Sequence, residues 1–193
     1  MWILASASPR RKELLAEILP EFEIIPSLAD ESVTSPLSPK SLVEMLATRK
    51  AFEVASRPEN AGRFVLGSDT IVAYGGEVLG KPKDEADAFR MLKMLSSKKH
   101  QVYTGVCMLV CKDGKVGYET KAAKTDVYFN SLSDDWIWEY IRGGSPMDKA
   151  GAYGIQDGGL VKKIKGSYSC VVGLPVELVK KMSRKITEKG LDI

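Results

Sequence analysis

Two long β-forming runs, residues 101–111 and 116–129, flank the dipeptide Asp113-Gly114, and this feature restricts the fold more than any other in the chain. Asp-Gly between apolar runs supplies the two positive-φ residues of a tight hairpin. The middle of the chain is therefore expected to be an antiparallel ribbon. Gly75-Gly76 gives a second hairpin signal between residues 71–74 and 77–79. Upstream, strand-like and helix-like segments alternate, which is the pattern of parallel strands linked by crossover helices. Together these patterns predict an α/β fold with an elongated mixed sheet flanked by helices.

The alternation can be placed from its start and stop signals. Residues 2–5 read as a short buried strand. Ser8-Pro9 then supplies an N-cap and a proline at the first helical position. Leu14, Leu15, Ile18 and Leu19 form the apolar face of that helix, and Pro20 ends it. A strand over 22–26 and a polar loop over 27–37 follow. Ser38-Pro39 repeats the cap and opens a helix to about residue 56, with Leu42, Met45, Leu46, Ala51 and Phe52 as its expected apolar stripe. After a break over 57–62, a strand beginning at Phe64 runs into Gly67-Ser68-Asp69-Thr70. Helices are predicted over 84–97, with Ala88, Met91, Leu92 and Leu95 inward, and from the Ser133 cap to about residue 142. Residues 148–159 read as glycine-rich and irregular, 160–164 and 169–172 as strands. Pro175 opens a last helix with a basic outer face.

Composition narrows the function classes. The 193 residues suffice for one domain with a buried core, alone or as two lobes. A net charge of +3 is too small to indicate nucleic-acid binding by itself, and suits a pocket for a small polyanion. The cluster Lys180, Lys181, Arg184 and Lys185 on the last helix reads as a solvated face. Cys107, Cys111 and Cys170 form neither a disulfide framework nor a zinc pattern, so free thiols in a reducing, cytoplasmic setting are expected. No run approaches the roughly 18 apolar residues of a membrane span.

Phosphate-binding loops of the Walker type, dinucleotide fingerprints and nucleophile elbows are absent, and His100 is the only histidine. It sits before a predicted strand and reads as a surface or structural residue. What remains is a set of cations and carboxylates. Ser6-Ala7-Ser8-Pro9-Arg10-Arg11 lies where a strand gives way to a helix, and free N–H groups there favour anions. Read blandly, the same segment is a cap followed by solvated arginines. Gly67-Ser68-Asp69-Thr70 puts a carboxylate and two hydroxyls into an apolar strand, where unpaired polar groups are costly. Asp69 is then either a structural hydrogen-bonding group or a magnesium ligand or general base. Lys50 on the second helix, Lys81 in the Gly80-Lys81-Pro82 turn and Glu31 in the polar loop are ordinary surface charges taken singly. Taken together they have the composition of a phosphate-and-metal site. Gln156 ends a glycine-containing segment and carries an amide able to read a base edge.

These motifs, with Tyr103-Thr104-Gly105-Val106, Asp148-Lys149-Ala150-Gly151-Ala152-Tyr153-Gly154-Ile155-Gln156 and Val171-Val172-Gly173-Leu174-Pro175, resemble in content and order those of the Maf family. The resemblance covers nearly the whole chain, as a single domain over 1–193. It implies a fold like that of inosine triphosphate pyrophosphatases, with two lobes around a cleft. It also implies hydrolysis of a nucleoside triphosphate to monophosphate and pyrophosphate, a divalent metal (magnesium, or manganese), a homodimer, and a housecleaning role in nucleotide pools.

By the same resemblance Asp69 is the proton acceptor, Glu31 and Asp69 face the metal, and Ser8, Arg11, Lys50 and Lys81 hold phosphate. Arg10, Thr70 and Gln156 match the branch acting on dTTP and UTP. The alternatives are a branch acting on 7-methyl-GTP and a non-catalytic regulator of cell division, against which the intact Asp69, Lys50 and Lys81 stand. The chain departs from the family pattern at Cys170, where asparagine is usual, and at Asp157, where glycine is frequent.

Overall fold

The structure is a computed structural model and describes residues 1–189. Seven strands form one sheet: β1 (Trp2–Leu4), β2 (Phe22–Ile24), β3 (Phe64–Tyr74), β4 (Glu77–Leu79), β5 (Lys99–Lys112), β6 (Lys115–Phe129) and β7 (Val161–Lys165). Their order is β2-β1-β3-β5-β6-β7, with β4 paired to β3 off that path. β1 lies parallel to both β2 and β3, whereas β4 on β3 and β7 on β6 are antiparallel. The sheet is thus mixed, as the two kinds of connection in the sequence require. Asp113 (φ 52°) and Gly114 (φ 75°) turn β5 into β6 with the positive dihedrals expected of them.

Six α-helices accompany the strands: α1 (Pro9–Ala16), α2 (Pro39–Ala55), α3 (Glu85–Leu95), α4 (Asp134–Arg142), α5 (Tyr168–Val172) and α6 (Val176–Lys189). Ser8, Ser38, Asp84 and Ser133 cap the first four through their side chains, each accepting from the N–H three residues on. The expected strand over 169–172 is instead α5. Ser167 Oγ accepts from Cys170 N at 3.2 Å, which starts a turn of helix, and a short apolar run is not assigned by periodicity alone. No helix among the described residues is long and apolar enough to cross a membrane.

By compactness the chain divides into two units, and β3, β5 and β6 each contribute residues to both. The first comprises Met1–Asp69, Thr104–Ala123 and the segment from Gly173. Its core lies on both faces of the strands. Ile3, Val65, Cys107 and Leu109 pack with Ala47, Ala51 and Val54 of α2. Leu4, Leu66, Val106 and Met108 pack with Leu15 of α1 and with Leu174, Val179, Met182 and Ile186. Successive strand residues point to opposite faces, so one strand feeds both cores.

The second unit comprises Thr70–Tyr103 and Lys124–Val172. Its core joins Leu79, Ala88, Leu92 and Leu95 to Val102, Val127, Phe129, Ile137, Ile141 and Leu160.

The buried face of α2 includes the expected Leu46 and Ala51 but is rotated away from Leu42, Met45 and Phe52. Val43, Leu46, Ala47, Ala51, Val54 and Ala55 are buried, while Met45 and Phe52 are only partly so. Two glycines explain the rotation. A Cβ on Gly67 would stand 2.3 Å from Ala47 O, and one on Gly105 would stand 2.2 Å from Val43 O. The helix backbone rests directly on the strands, so its small residues must face them.

His100 is also relocated. It lies within β5 and is fully buried, with a ring nitrogen, Nε2, 2.8 Å from the Tyr153 hydroxyl. Lys180, Lys181, Arg184 and Lys185 are exposed, with Lys185 paired to Glu119 at 3.1 Å, as a solvated face should be.

Candidate functional site

In the first unit, the close seating of α2 on Gly67 has a chemical consequence. Asp69 lies two residues beyond Gly67 on the same face of β3, and Lys50 precedes Ala51, whose N would lie 2.8 Å from a Gly67 Cβ. The helix therefore delivers Lys50 to Asp69, with Nζ 2.6 Å from Oδ1. The same Nζ lies 2.8 Å from Oε1 of Glu31, in the loop between β2 and α2. One ammonium is bracketed by two carboxylates from three separate stretches of chain. Lys50 and Asp69 are largely shielded, with side chains 12% and 9% exposed, whereas that of Glu31 is 61% exposed.

Burial raises the proton affinity of Asp69 above the ordinary aspartate value. The charges of Lys50 and Arg11 oppose that shift, and Glu31 adds to it. The result is a shielded carboxylate that remains a better base than a surface aspartate.

The opposite face of β3 carries Ser68, whose hydroxyl donates to the carbonyls of Gly105 at 2.9 Å and Gly173 at 3.2 Å. Arg11, in the first turn of α1, donates from Nε to the same Gly173 carbonyl at 2.9 Å and from Nη1 to Ser6 Oγ at 3.2 Å. Desolvation lowers its pKa, and the charges of Asp69 and Glu31 pull it back up. A guanidinium stays protonated throughout. The Ser8 cap bond to Arg11 N is long, at 3.4 Å, and α1 has no acidic residue in its first turn. The first turn thus carries N–H groups and the two guanidiniums of Arg10 and Arg11, and no acidic residue of its own. β1 and β3 are parallel, and these groups follow the carboxyl end of β1, the usual kind of ligand position in such sheets.

Ser8, Arg11, Glu31, Lys50 and Asp69 therefore gather within one unit, with Arg10 acting electrostatically on Arg11. Thr70, Lys81 and Gln156 belong to the second unit. Lys81 is exposed, and Gly80 before it accepts from Gly151 N at 2.9 Å, which ties that turn to the segment leading to Gln156. Gly151 has φ +69°, and a Cβ there would stand 2.7 Å from Val72 Cγ2. Gln156 is exposed. Its neighbour Asp157 accepts from Tyr140 at 2.5 Å and Ser145 at 2.6 Å, while Gly154 N donates to the same Tyr140 hydroxyl at 3.1 Å. The Asp157 carboxyl is held below the ordinary range: desolvation pushes it up, and the Ser145 and Tyr140 hydroxyls, with Lys149 and Gly154, outweigh that. This network was not legible beforehand, because its members are distant in sequence and carry no shared motif. Gly173 and Ser68 were within recognised motifs, but the sharing of the Gly173 carbonyl by Ser68 and Arg11 appears only in three dimensions.

Among the described residues, no group of three or more histidine, cysteine, aspartate or glutamate side chains is placed to hold a metal by itself. Asp69 and Glu31 both contact Lys50 Nζ, and carboxylates of this kind could serve magnesium where a substrate supplies further phosphate oxygens.

A motif order and a carboxylate–lysine–arginine cluster of this kind define a nucleotide-phosphate-handling class of α/β protein, and the comparisons identify which one. A family model for Maf-like proteins matches residues 1–186, and the chain belongs to that family. It is 48% identical over 195 residues to a dTTP/UTP pyrophosphatase of Thermococcus kodakarensis, covering 100% of this chain and 98% of that protein. It is 51% identical over 176 residues to one of Geotalea uraniireducens, covering 90% and 89% of the two chains. In fold it is similar to the Ham1 protein of Staphylococcus aureus, with a TM-score of 0.54 over 97% of this chain and 99% of that one, at 14% identity.

Proposed function

We propose that this protein hydrolyses dTTP and UTP between the α and β phosphates, releasing the monophosphate and pyrophosphate. One observation carries the reading: a shielded Asp69 with raised proton affinity, held 2.6 Å from Lys50 beside Glu31 and Arg11. The names of the full-length relatives supply the substrates.

Asp69 is the proton acceptor. Its Oδ1 is occupied by Lys50, so Oδ2 faces the attacking water and takes its proton. Lys50 keeps that carboxylate oriented. Arg11, anchored through Nε on Gly173, offers a planar fork to phosphate oxygens, and the first turn of α1 with Ser8 adds N–H and hydroxyl donors. Lys81, in the Gly80-Lys81-Pro82 motif, is assigned a phosphate-holding role by family resemblance. Aimed at charge that grows on the leaving pyrophosphate, these groups act where electrostatic stabilisation is largest. Asp69 and Glu31 would hold a divalent cation, magnesium or manganese, which when bound neutralises phosphate charge and polarises the phosphoryl group. Arg10, Thr70 and Gln156 set the base, the Gln156 amide pairing with the O4/N3 edge of uracil or thymine. Removal of unwanted pyrimidine triphosphates is the corresponding cellular role.

The test is pyrophosphate release from dTTP, UTP, CTP, GTP and 7-methyl-GTP, with magnesium and with chelator, by the wild type and Asp69→Asn. Metal-dependent release led by dTTP and UTP, abolished in Asp69→Asn, is the expected result. Release led by 7-methyl-GTP would overturn the substrate. No release from folded protein would point to a non-catalytic role.

A further inference from the structure

Glu31 sits in a stretch, residues 25–38, with no helix or strand, and loops of this kind ordinarily leave a side chain poorly placed. Here the loop is gripped along its backbone by side chains of α2 and by Arg57 just beyond it. Arg57 Nη2 donates to Pro26 O at 3.2 Å. Glu53 Oε2 accepts from Leu28 N at 2.8 Å. Arg49 Nη1 donates to Ser32 O at 2.6 Å and to Asp30 O at 3.3 Å.

The spacing has a geometric cause. Arg49 and Glu53 lie four residues apart on α2, where four residues rise about 6 Å, and Arg57 follows just past the end of the helix with extended backbone. Two residues of extended chain span about 6.6 Å. Loop residues 28 and 30 therefore meet successive positions of α2, Glu53 and Arg49, while residue 26 meets Arg57 just past the helix end. Asp30 then closes a turn around Glu31, its carboxylate accepting from Ser32 N at 2.9 Å and from Ser32 Oγ at 2.5 Å. Arg49 thus holds the carbonyls on both sides of Glu31, and Lys50, the next residue of the helix, holds the Glu31 side chain.

We propose that Arg49 is a positioning residue for Glu31. Through the two flanking carbonyls it sets how well Glu31 is presented to a divalent cation, and it does so without touching substrate. Arg49 is exposed and outside the core, so its replacement leaves the fold in place. The proposal rests on the metal-side role of Glu31 given above, and the experiment separates the two.

Arg49→Ala, Arg49→Lys, Glu31→Gln and the Arg49→Ala/Glu31→Gln double variant are compared by two readouts. One is hydrogen–deuterium exchange over residues 26–33 in the absence of metal and nucleotide. The other is the magnesium concentration that half-saturates dTTP hydrolysis. Arg49→Ala is expected to speed exchange by about an order of magnitude and to raise the half-saturating magnesium several-fold, with a smaller loss of kcat at saturating metal. Arg49→Lys, which keeps a cationic donor, should recover most of both. In the Glu31→Gln background Arg49→Ala should add nothing to the metal requirement. Unchanged exchange in Arg49→Ala, or a metal effect that persists undiminished without Glu31, would overturn the positioning role while leaving the Glu31 assignment standing. An unchanged metal requirement in Glu31→Gln would count against that assignment and this use of Arg49 together.

Discussion

Acidification between pH 6.5 and pH 4.5 should destabilise this protein more steeply than its carboxylates account for, through His100. The ring is fully buried, its Nδ1 has no hydrogen-bond partner, and the edges of Phe129 and Tyr153 pack against it. Burial lowers its pKa from 6.5 to about 4. An unfolded imidazole titrates near 6.5, so within that window the unfolded chain binds the proton and the folded chain does not. Stability therefore falls as pH falls, and is fully restored above pH 6.5. At about 1.4 kcal/mol per unit the whole shift amounts to roughly 3 kcal/mol, or roughly 6–12 °C in Tm for a domain of this size. The chain has a single histidine, and carboxylates with lowered pKa values, such as Asp87 and Asp157, act below the ordinary aspartate value of 3.8. Asp69, with a raised pKa, works in the opposite sense but equally in both proteins compared. The assay is urea unfolding of wild type and His100→Gln at pH 4.5 to 7.5, the glutamine amide being able to partner Tyr153. The wild type should lose on the order of 2–3 kcal/mol across the window beyond any loss in the variant. Parallel pH profiles would refute a buried neutral imidazole.

Three further outcomes are expected. The acid limb of kcat/KM should lie above the ordinary aspartate value of 3.8, because burial raises Asp69, and Lys50→Met should move it higher still by removing a charge that lowers that pKa; a limb that stays put in pH-rate profiles would remove Asp69 as the base. Gly67→Ala should cost about 3 kcal/mol or more in denaturant unfolding, since its Cβ would lie 2.3 Å from Ala47 O on a backbone that cannot retreat; a loss under 1 kcal/mol would show that α2 shifts freely. Asp157→Ala should raise KM for dTTP more than it lowers kcat and cost about 1–2 kcal/mol, by stripping Tyr140 and Ser145 of their acceptor beside Gln156; equal KM values would detach that network from base recognition.

Local signals were legible in the sequence wherever a few adjacent residues decide the outcome. The serine caps at 8, 38 and 133, the Asp84 start of α3 and the Asp113-Gly114 turn all act over three or four residues, and all stand where expected. The motif residues themselves, Asp69, Lys50, Arg11 and Glu31, were likewise identifiable by type and order, and family membership followed from them.

What the sequence left open depended on which surfaces meet. The run at 169–172 became α5 because Ser167 caps it, a choice that apolar content cannot make. The buried side of α2 was set by two glycines on other strands, which admit a helix backbone but no Cβ. His100 read as a surface or structural residue ahead of a strand, and its burial within β5 against Phe129 and Tyr153 is a tertiary outcome. Asp69 as a charge was plain from the sequence. Its raised proton affinity comes from burial in the fold, and its bond to Lys50 and the fastening of Glu31 by Arg49 come only from residues 17 to 19 positions apart being folded to within hydrogen-bonding distance. Desolvation and short-range electrostatics depend on that proximity in space, and order along the chain does not encode it.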